Sequence, residues 1–316
     1  MLDSLIIHTA LISESKQVST KDVMVVAAAL QKQVVRDLGP IWNVRATVDP
    51  FDRLEDMPLG YWPMIIKDDI DFDGAAGIHL DKDGQPFALI TASESIDQWS
   101  LTTSHEVCEM LVDPFGNRLV AGDSPKPDQG RVMFLVEVCD PSEASDFAYS
   151  SNGVLVSDFY TPNYFDPLSS SGVRYSFSDA IKEPRDVLRG GYLSWVDPET
   201  EDWWQETWFG GEQSQFVKLG KLTARNGSFR SRIDSLSGAN TAQAVARGRD
   251  AASAAGLTVK SAKSGRNAHA DSLRLQIDEL TGKSKKGSKN GSPPSAGQSA
   301  VHESHRRRPS RRQPAL

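Results

Sequence analysis

Trp99 to Pro114 reads WSLTTSHEVCEMLVDP, and the rest of the chain is organised around it. Leu101, Ser104, Cys108 and Leu111 recur at i, i+3, i+7 and i+10, the spacing of one face of an α-helix. Asp97 is placed to cap its N-terminus, and Pro114 cannot continue the helix beyond Asp113. Beside the apolar face runs a second stripe of His105, Glu109 and Asp113, each four residues from the last. A step of four drifts only about 40° around the rod, so the three side chains share one side of it. Glu106 lies on the flank of that stripe. An imidazole and two carboxylates converging from one helix face can hold a divalent cation, which leaves Glu106 free to act on a bound water.

Upstream, Leu5 to Ile12 is a short apolar run that predicts a strand. Ser19 with Asp22 three residues on resembles a capping box. It opens an amphipathic helix along Val23, Val26, Ala27, Leu30 and Val34, which Gly39-Pro40 is expected to end. Asn43 to Val48 and Tyr61 to Lys67 predict strands, and Pro63 puts itself early in the second or puts that strand at an edge. Ala75 to Thr91 predicts a hairpin turning at Asp83-Gly84. Residues 1–115 therefore read as an α/β (α+β) unit whose second helix carries the polar stripe.

Downstream, Val132 to Val138 and Gly153 to Tyr160 predict strands, and Leu193 to Val196 with Trp203 to Trp208 predict a hairpin around Asp197-Pro198. After Leu222 the grammar changes. Ala239 to Leu257 is Ala-rich, Ser272 to Leu280 predicts a short amphipathic helix, and Gly282 to Leu316 is rich in Gly, Ser, Lys, Pro and Arg. That last composition buries too little apolar surface to offset ordering entropy and predicts disorder. The expected organisation is an α/β domain with a β-rich C-terminal part over 1–220, a partly helical Ala-rich linker over 221–281, and a disordered basic tail over 282–316.

Charge follows the same division. The net charge of −7 over 316 residues hides +13 from Lys221 to Leu316 and −20 over residues 1–220. An acidic body suits a basic substrate, and the basic tail is suited to non-specific polyanion contact. No aromatic residue follows Phe229, so base stacking is excluded from such contact. Cys108 and Cys139 are too few for a disulfide framework or a thiolate zinc site and read as small core hydrophobes. No segment reaches the roughly 18 apolar residues that span a bilayer, and Asp3 stands where a signal peptide has basic residues. The chain is expected to be soluble and cytoplasmic.

A helix carrying His-Glu-x-x-His sets two imidazoles one turn apart for zinc and keeps the Glu as general base. Here His105-Glu106-Val107-Cys108-Glu109 gives HExxE. Together with the preceding order of long helix, strands and edge hairpin, it resembles the zincin-like metallopeptidase fold over roughly residues 20–115. The resemblance implies a zincin-like mixed sheet with an active-site helix, His105 as metal ligand and Glu106 as the base. It also implies that Gly77 to Leu80 runs along the cleft and pairs with an extended peptide or protein substrate. The departure is Glu109, where the family has its second His, and Phe115 stands where the metzincin extension has another His. A His/Glu/Asp set is harder and more anionic, so zinc is the first expectation and manganese, calcium or magnesium stay open. Asp113 is the expected third ligand, with Asp140, Glu143 and His79 in reserve.

Three further patterns have plain structural readings. Asp69-Ile-Asp71-Phe-Asp73-Gly74 opens like a calcium loop, but its twelfth position is Leu80, which favours an acidic turn. Glu137, Asp140 and Glu143 surround a strand end, either as one wall of a site or as a capped turn. Tyr160 offers a hydroxyl to an oxyanion or simply fills the core. The leading expectation is a metal-dependent, peptidase-like hydrolase. The alternatives are a catalytically inactive zincin-like scaffold, in a structural or interaction role, and a polyanion binder.

Overall fold

A computed structural model describes residues 5–71, 75–82, 84–222 and 227–239. β1 (Ile7–Ser13) leads through α1 (Thr20–Lys32), a π-helical turn (Gln33–Leu38) and α2 (Gly39–Trp42) to β2 (Ala46–Phe51). β3 (Trp62–Lys67), β4 (Gly77–Lys82) and β5 (Gln85–Thr91) complete a five-stranded sheet in the order β2-β1-β3-β5-β4. Only β4, at the edge, runs antiparallel to its neighbour. The α+β class is as expected, and Pro63 sits second in a central strand, not at an edge.

Strand alternation buries both faces of this sheet. Leu11, Met64, Ile66, Ala88 and Ile90 pack on the helix side, while Ala10, Ile12, Ile65, Phe87 and Leu89 fill a separate cluster on the other. In β4, Ile78 and Leu80 belong to that far cluster, so the two-residue period turns Gly77 and His79 toward α3 (Ile96–Val112). A Cβ at Gly77 would lie 2.5 Å from Thr102 Cγ2 and 2.7 Å from Glu106 Oε1, so glycine is what lets β4 approach α3 so closely.

Ser19 caps α1 as expected, its Oγ accepting from Asp22 N at 3.2 Å. Gly39-Pro40 does not end the helix, which continues to Trp42 and stops at Asn43 in the left-handed region (φ 54°). The π turn absorbs an extra residue, Gly39 N donating to Val34 O, and Pro40 falls in the first turn of α2, where its missing N–H costs nothing. At α3, Ser95 occupies the cap position and Asp97 lies within the first turn, so Asp97 is not the cap. Among the described residues no helix is long and apolar enough to cross a membrane.

β6 (Leu119–Asp123), β7 (Arg131–Leu135), β10 (Tyr192–Val196), β11 (Trp203–Thr207) and β12 (Gln215–Gly220) form an antiparallel sheet in the order β12-β11-β10-β7-β6. A short hairpin of β8 (Tyr149–Ser151) and β9 (Val154–Val156) packs against α1 and α3. Two strands are shorter than expected. β7 stops at Leu135, and β9 stops at Val156 because Ser157 N donates to Ser104 Oγ of α3. The segment read as linker opens with a packed helix, α4 (Phe229–Ala239), whose Ile233 is buried with Leu135 and Trp203. The Ala-rich stretch after α4, the helix expected over 272–280 and the basic tail lie outside the described residues.

α3 is locked to the π-helical turn that follows α1 by a closed ring of buried hydrogen bonds. Ser104 Oγ donates to Gln33 Oε1 (2.8 Å) and accepts from Ser157 N (2.8 Å), and Gln33 Nε2 donates to Ser157 O (3.0 Å). Gln33→Leu takes the acceptor from the Ser104 hydroxyl and the donor from the buried Ser157 carbonyl, and is expected to cost about 2–3 kcal/mol. Urea denaturation checks this, and a loss below about 0.5 kcal/mol would show that the ring contributes little.

Candidate functional site

α3 presents its polar stripe to a buried cluster of charged side chains supplied by three other parts of the chain. β4 brings His79, the segment after β7 brings Glu137, Asp140 and Glu143, and α4 brings Arg230. The middle segment is held against β10, since a Cβ at Gly191 would meet Asp140 O and Pro141 O at 2.6 Å and Leu188 N donates to Pro141 O at 2.9 Å. α4 is seated by Arg230 N donating to Gly116 O (3.1 Å) and Phe229 N donating to Asn117 Oδ1 (2.9 Å).

Glu109, with no exposed surface, is the centre. Its Oε1 lies 3.3 Å from His105 Nε2 and accepts from Cys139 N at 3.2 Å. Its Oε2 lies 3.6 Å from His79 Nδ1 and accepts from Arg230 Nη1 at 3.3 Å. His105 Nε2 is also 3.2 Å from Asp140 Oδ1. Glu106 Oε2 stands 3.4 Å from His79 Nδ1, on the β4 side of the stripe. Arg230 Nη1 reaches Glu137 Oε2 at 2.5 Å and Asp140 Oδ2 at 3.5 Å, while its other nitrogens bond Asp234 and Tyr192.

Of the expected ligands, His105 and Glu109 come together and Asp113 does not join them. Asp113 closes α3 at its C-cap, where its Oδ2 accepts from Arg118 N at 2.7 Å. The drift of the four-residue stripe and the end of the helix before Pro114 leave it with that local task. The reserve residues meet the motif instead. Three groups of donor atoms lie within 4.8 Å of one another: His105, Asp140 and Glu143; His79, Glu109 and Glu137; and His105, Glu109 and Cys139. Arg230, Asp234 and Tyr192 were not expected. Arg230 and Asp234 stand four apart on a helix, but nothing local in the sequence says that they face a pocket.

The donors around His105 are close enough together that they could hold a cation. Ligand atoms about 2.0–2.1 Å from a tetrahedral ion lie about 3.3 Å from each other, close to the observed 3.2 and 3.3 Å. Without an ion the same geometry is under-satisfied. Nε2 carries at most one hydrogen for two carboxylate oxygens, and Asp140 Oδ1, though buried, has no hydrogen-bond partner.

The charge states show the same surplus of carboxylate. Burial works against the Glu109 charge, yet His105, Arg230 and His79 hold its pKa well below the usual range. Burial would push His105 down, but Glu109 and Asp140 hold it well above its ordinary value. Burial, with Glu109, pushes Asp140 up to about 6, and burial, with Asp140, pushes Glu143 up to about 8. Burial also raises Glu137 well above its ordinary value, against Arg230. Tyr160 is a core residue stacked on Tyr164 at 4.3 Å, with its hydroxyl buried and unpartnered. Asp71 N donates to Asp69 Oδ1 at 2.8 Å, an acidic turn, and the rest of the calcium-like loop, 72–74, lies outside the described residues.

These shifts fix a pH dependence. Asp140 and Glu143 keep protons in the fold to about pH 6 and about pH 8, whereas the unfolded chain releases them near its ordinary values. The native state therefore binds more protons in that window, and its stability falls as pH rises through it. His105 acts in the same direction above its ordinary value, and Glu109 is charged throughout and adds no slope. Protein held metal-free with a chelator is expected to melt at a lower temperature at about pH 8.5 than at about pH 6, with a smaller difference in Glu143→Gln. A melting temperature that is flat or rising across this interval would contradict the assignment.

No family model, no curated protein and no solved structure matches this chain.

Proposed function

We propose that this chain is a metal-dependent hydrolase, built on a zincin-like plan, that cleaves a peptide or related carbonyl substrate. The observation that carries it is the placing of Glu109 Oε1 and Asp140 Oδ1, from separate parts of the chain, at 3.3 and 3.2 Å from one imidazole nitrogen. In this reading His105 anchors the ion, with Asp140 and Glu143 or with Glu109 and Cys139 as the other ligands, and Asp113 has no part in it. A divalent cation there, zinc first and manganese or calcium next, supplies Lewis acidity toward water and a carbonyl oxygen. Glu106, 3 % exposed, is the general base, and His79 Nδ1 at 3.4 Å orients its carboxylate. The mixed sheet supports the same plan, because β4 is an antiparallel edge strand, the position at which an extended peptide would pair.

One observation favours a second reading, an inactive scaffold. Arg230 already places a guanidinium among Glu109, Glu137 and Asp140, so part of the carboxylate charge is compensated by the chain itself. Elemental mass spectrometry on protein purified without added metal separates the two. The hydrolase is expected to carry about one equivalent of zinc or manganese that His105→Ala loses. Glu106→Gln is expected to keep metal and fold while cleavage of basic peptides falls by about 10²–10⁴-fold. Metal-free wild type of normal stability would leave the scaffold.

A further inference from the structure

Glu109 and Asp140 each divide their oxygens between two cations. Oε1 and Oδ1 face His105 Nε2, at 3.3 and 3.2 Å, whereas Oε2 and Oδ2 face Arg230 Nη1, at 3.3 and 3.5 Å. The Arg230 side therefore has a cation position of its own, behind the one at His105. Glu137 serves only this second position, with Oε2 2.5 Å from Arg230 Nη1, and donor atoms of His79, Glu109 and Glu137 lie within 4.8 Å of one another. Glu137 is 4 % exposed, and its Oε1 has no hydrogen-bond partner. One Nη carries two hydrogens, too few to serve three carboxylates, and of these only Glu109 accepts a hydrogen bond from it.

We propose that this position is a second divalent-cation site, formed by His79, Glu109 and Glu137, and that Arg230 is its removable lock. The proposal rests on the metal-dependent reading of the His105 site and adds its regulation. With α4 seated the chain holds one ion. With α4 lifted it holds two, with Glu109 shared between the positions as shared carboxylates serve other two-metal centres. α4 is suited to lifting. Ile233 anchors it to Leu135 and Trp203, a cluster rimmed by the partly buried Leu119, Val196, Leu219, Leu222 and Phe229 and separate from the main core, and its first turn is tied through Gly116 and Asn117. Gly116 has φ +57°, and a Cβ there would stand 2.9 Å from Arg230 Cβ, so the seat itself depends on a residue without a side chain.

Manganese(II) titrated into the full-length chain tests this, with bound ion counted by elemental mass spectrometry after desalting and paired ions detected by electron paramagnetic resonance. Wild type is expected to bind one equivalent. Arg230→Gln and Ile233→Asn, the latter loosening α4 without touching a ligand, are each expected to bind two and to show an exchange-coupled pair. Adding Glu137→Gln to either is expected to return the count to one. If Arg230→Gln unfolds, Ile233→Asn carries the test. One equivalent in all variants would overturn the lock and leave the His105 reading standing. One equivalent in Arg230→Gln, absent from wild type and lost with Glu137→Gln, would keep the lock and overturn the His105 reading. No ion in any variant would overturn both.

Discussion

Glu109 has no exposed surface, and a carboxylate in that position costs several kcal/mol unless its charge is met from every side. The donors that meet it come from four places: His105 on its own helix, His79 on β4, the backbone N of Cys139 after β7, and Arg230 on α4. Against burial, His105, Arg230 and His79 hold the pKa of Glu109 well below the ordinary range. The packing of β4, the post-β7 segment and α4 around α3 and the ionisation of one side chain are therefore a single condition. Removing any one element leaves a charge in the core.

That condition is met for Glu109 at the expense of its neighbours. Asp140, Glu143 and Glu137 crowd the same pocket, and burial beside an ionised Glu109 pushes each of them up. Protons can relieve the surplus at low pH, but they leave the pocket under-compensated as pH rises. A divalent cation, if bound, would relieve it at any pH where its ligands are charged. The orphaned Asp140 Oδ1 and the doubly approached His105 Nε2 are the geometric side of this imbalance.

Much of the framework was legible in the sequence because it is written in short periods. The spacing of Val23 to Val34 gave α1, alternation gave the strands around Met64 and Leu89, and the hairpin appeared as β4 and β5. The two-residue period of β4 even points His79 at α3, since Ile78 and Leu80 are claimed by the far face. The errors come from partners that the short period does not count, some a few residues away and some far along the chain. Gly39-Pro40 reads as a stop until a π turn supplies the slack, and the 153–160 run reads as one strand until Ser104 captures the N–H of Ser157. Asp113 belongs to the stripe by count but to Arg118 by geometry. Arg230 left no readable signal, because it lies 121 residues from Glu109 in a stretch whose composition resembles a linker.

The departure from His-Glu-x-x-His now has a physical meaning in this chain. An imidazole at position 109 would offer one free nitrogen to one neighbour, with its other nitrogen turned away. A carboxylate offers two oxygens on one rigid group, and Glu109 uses Oε1 toward His105 and Cys139 while Oε2 faces His79 and Arg230. Asp140 divides its oxygens in the same way. Two carboxylates that each turn one oxygen to His105 and the other to Arg230 need positive charge on both sides. A second histidine at 109 would strip Arg230 of one of its partners and leave that guanidinium over-charged in the core. HExxE and Arg230 are therefore parts of one arrangement, and the glutamate is what joins the motif helix to α4.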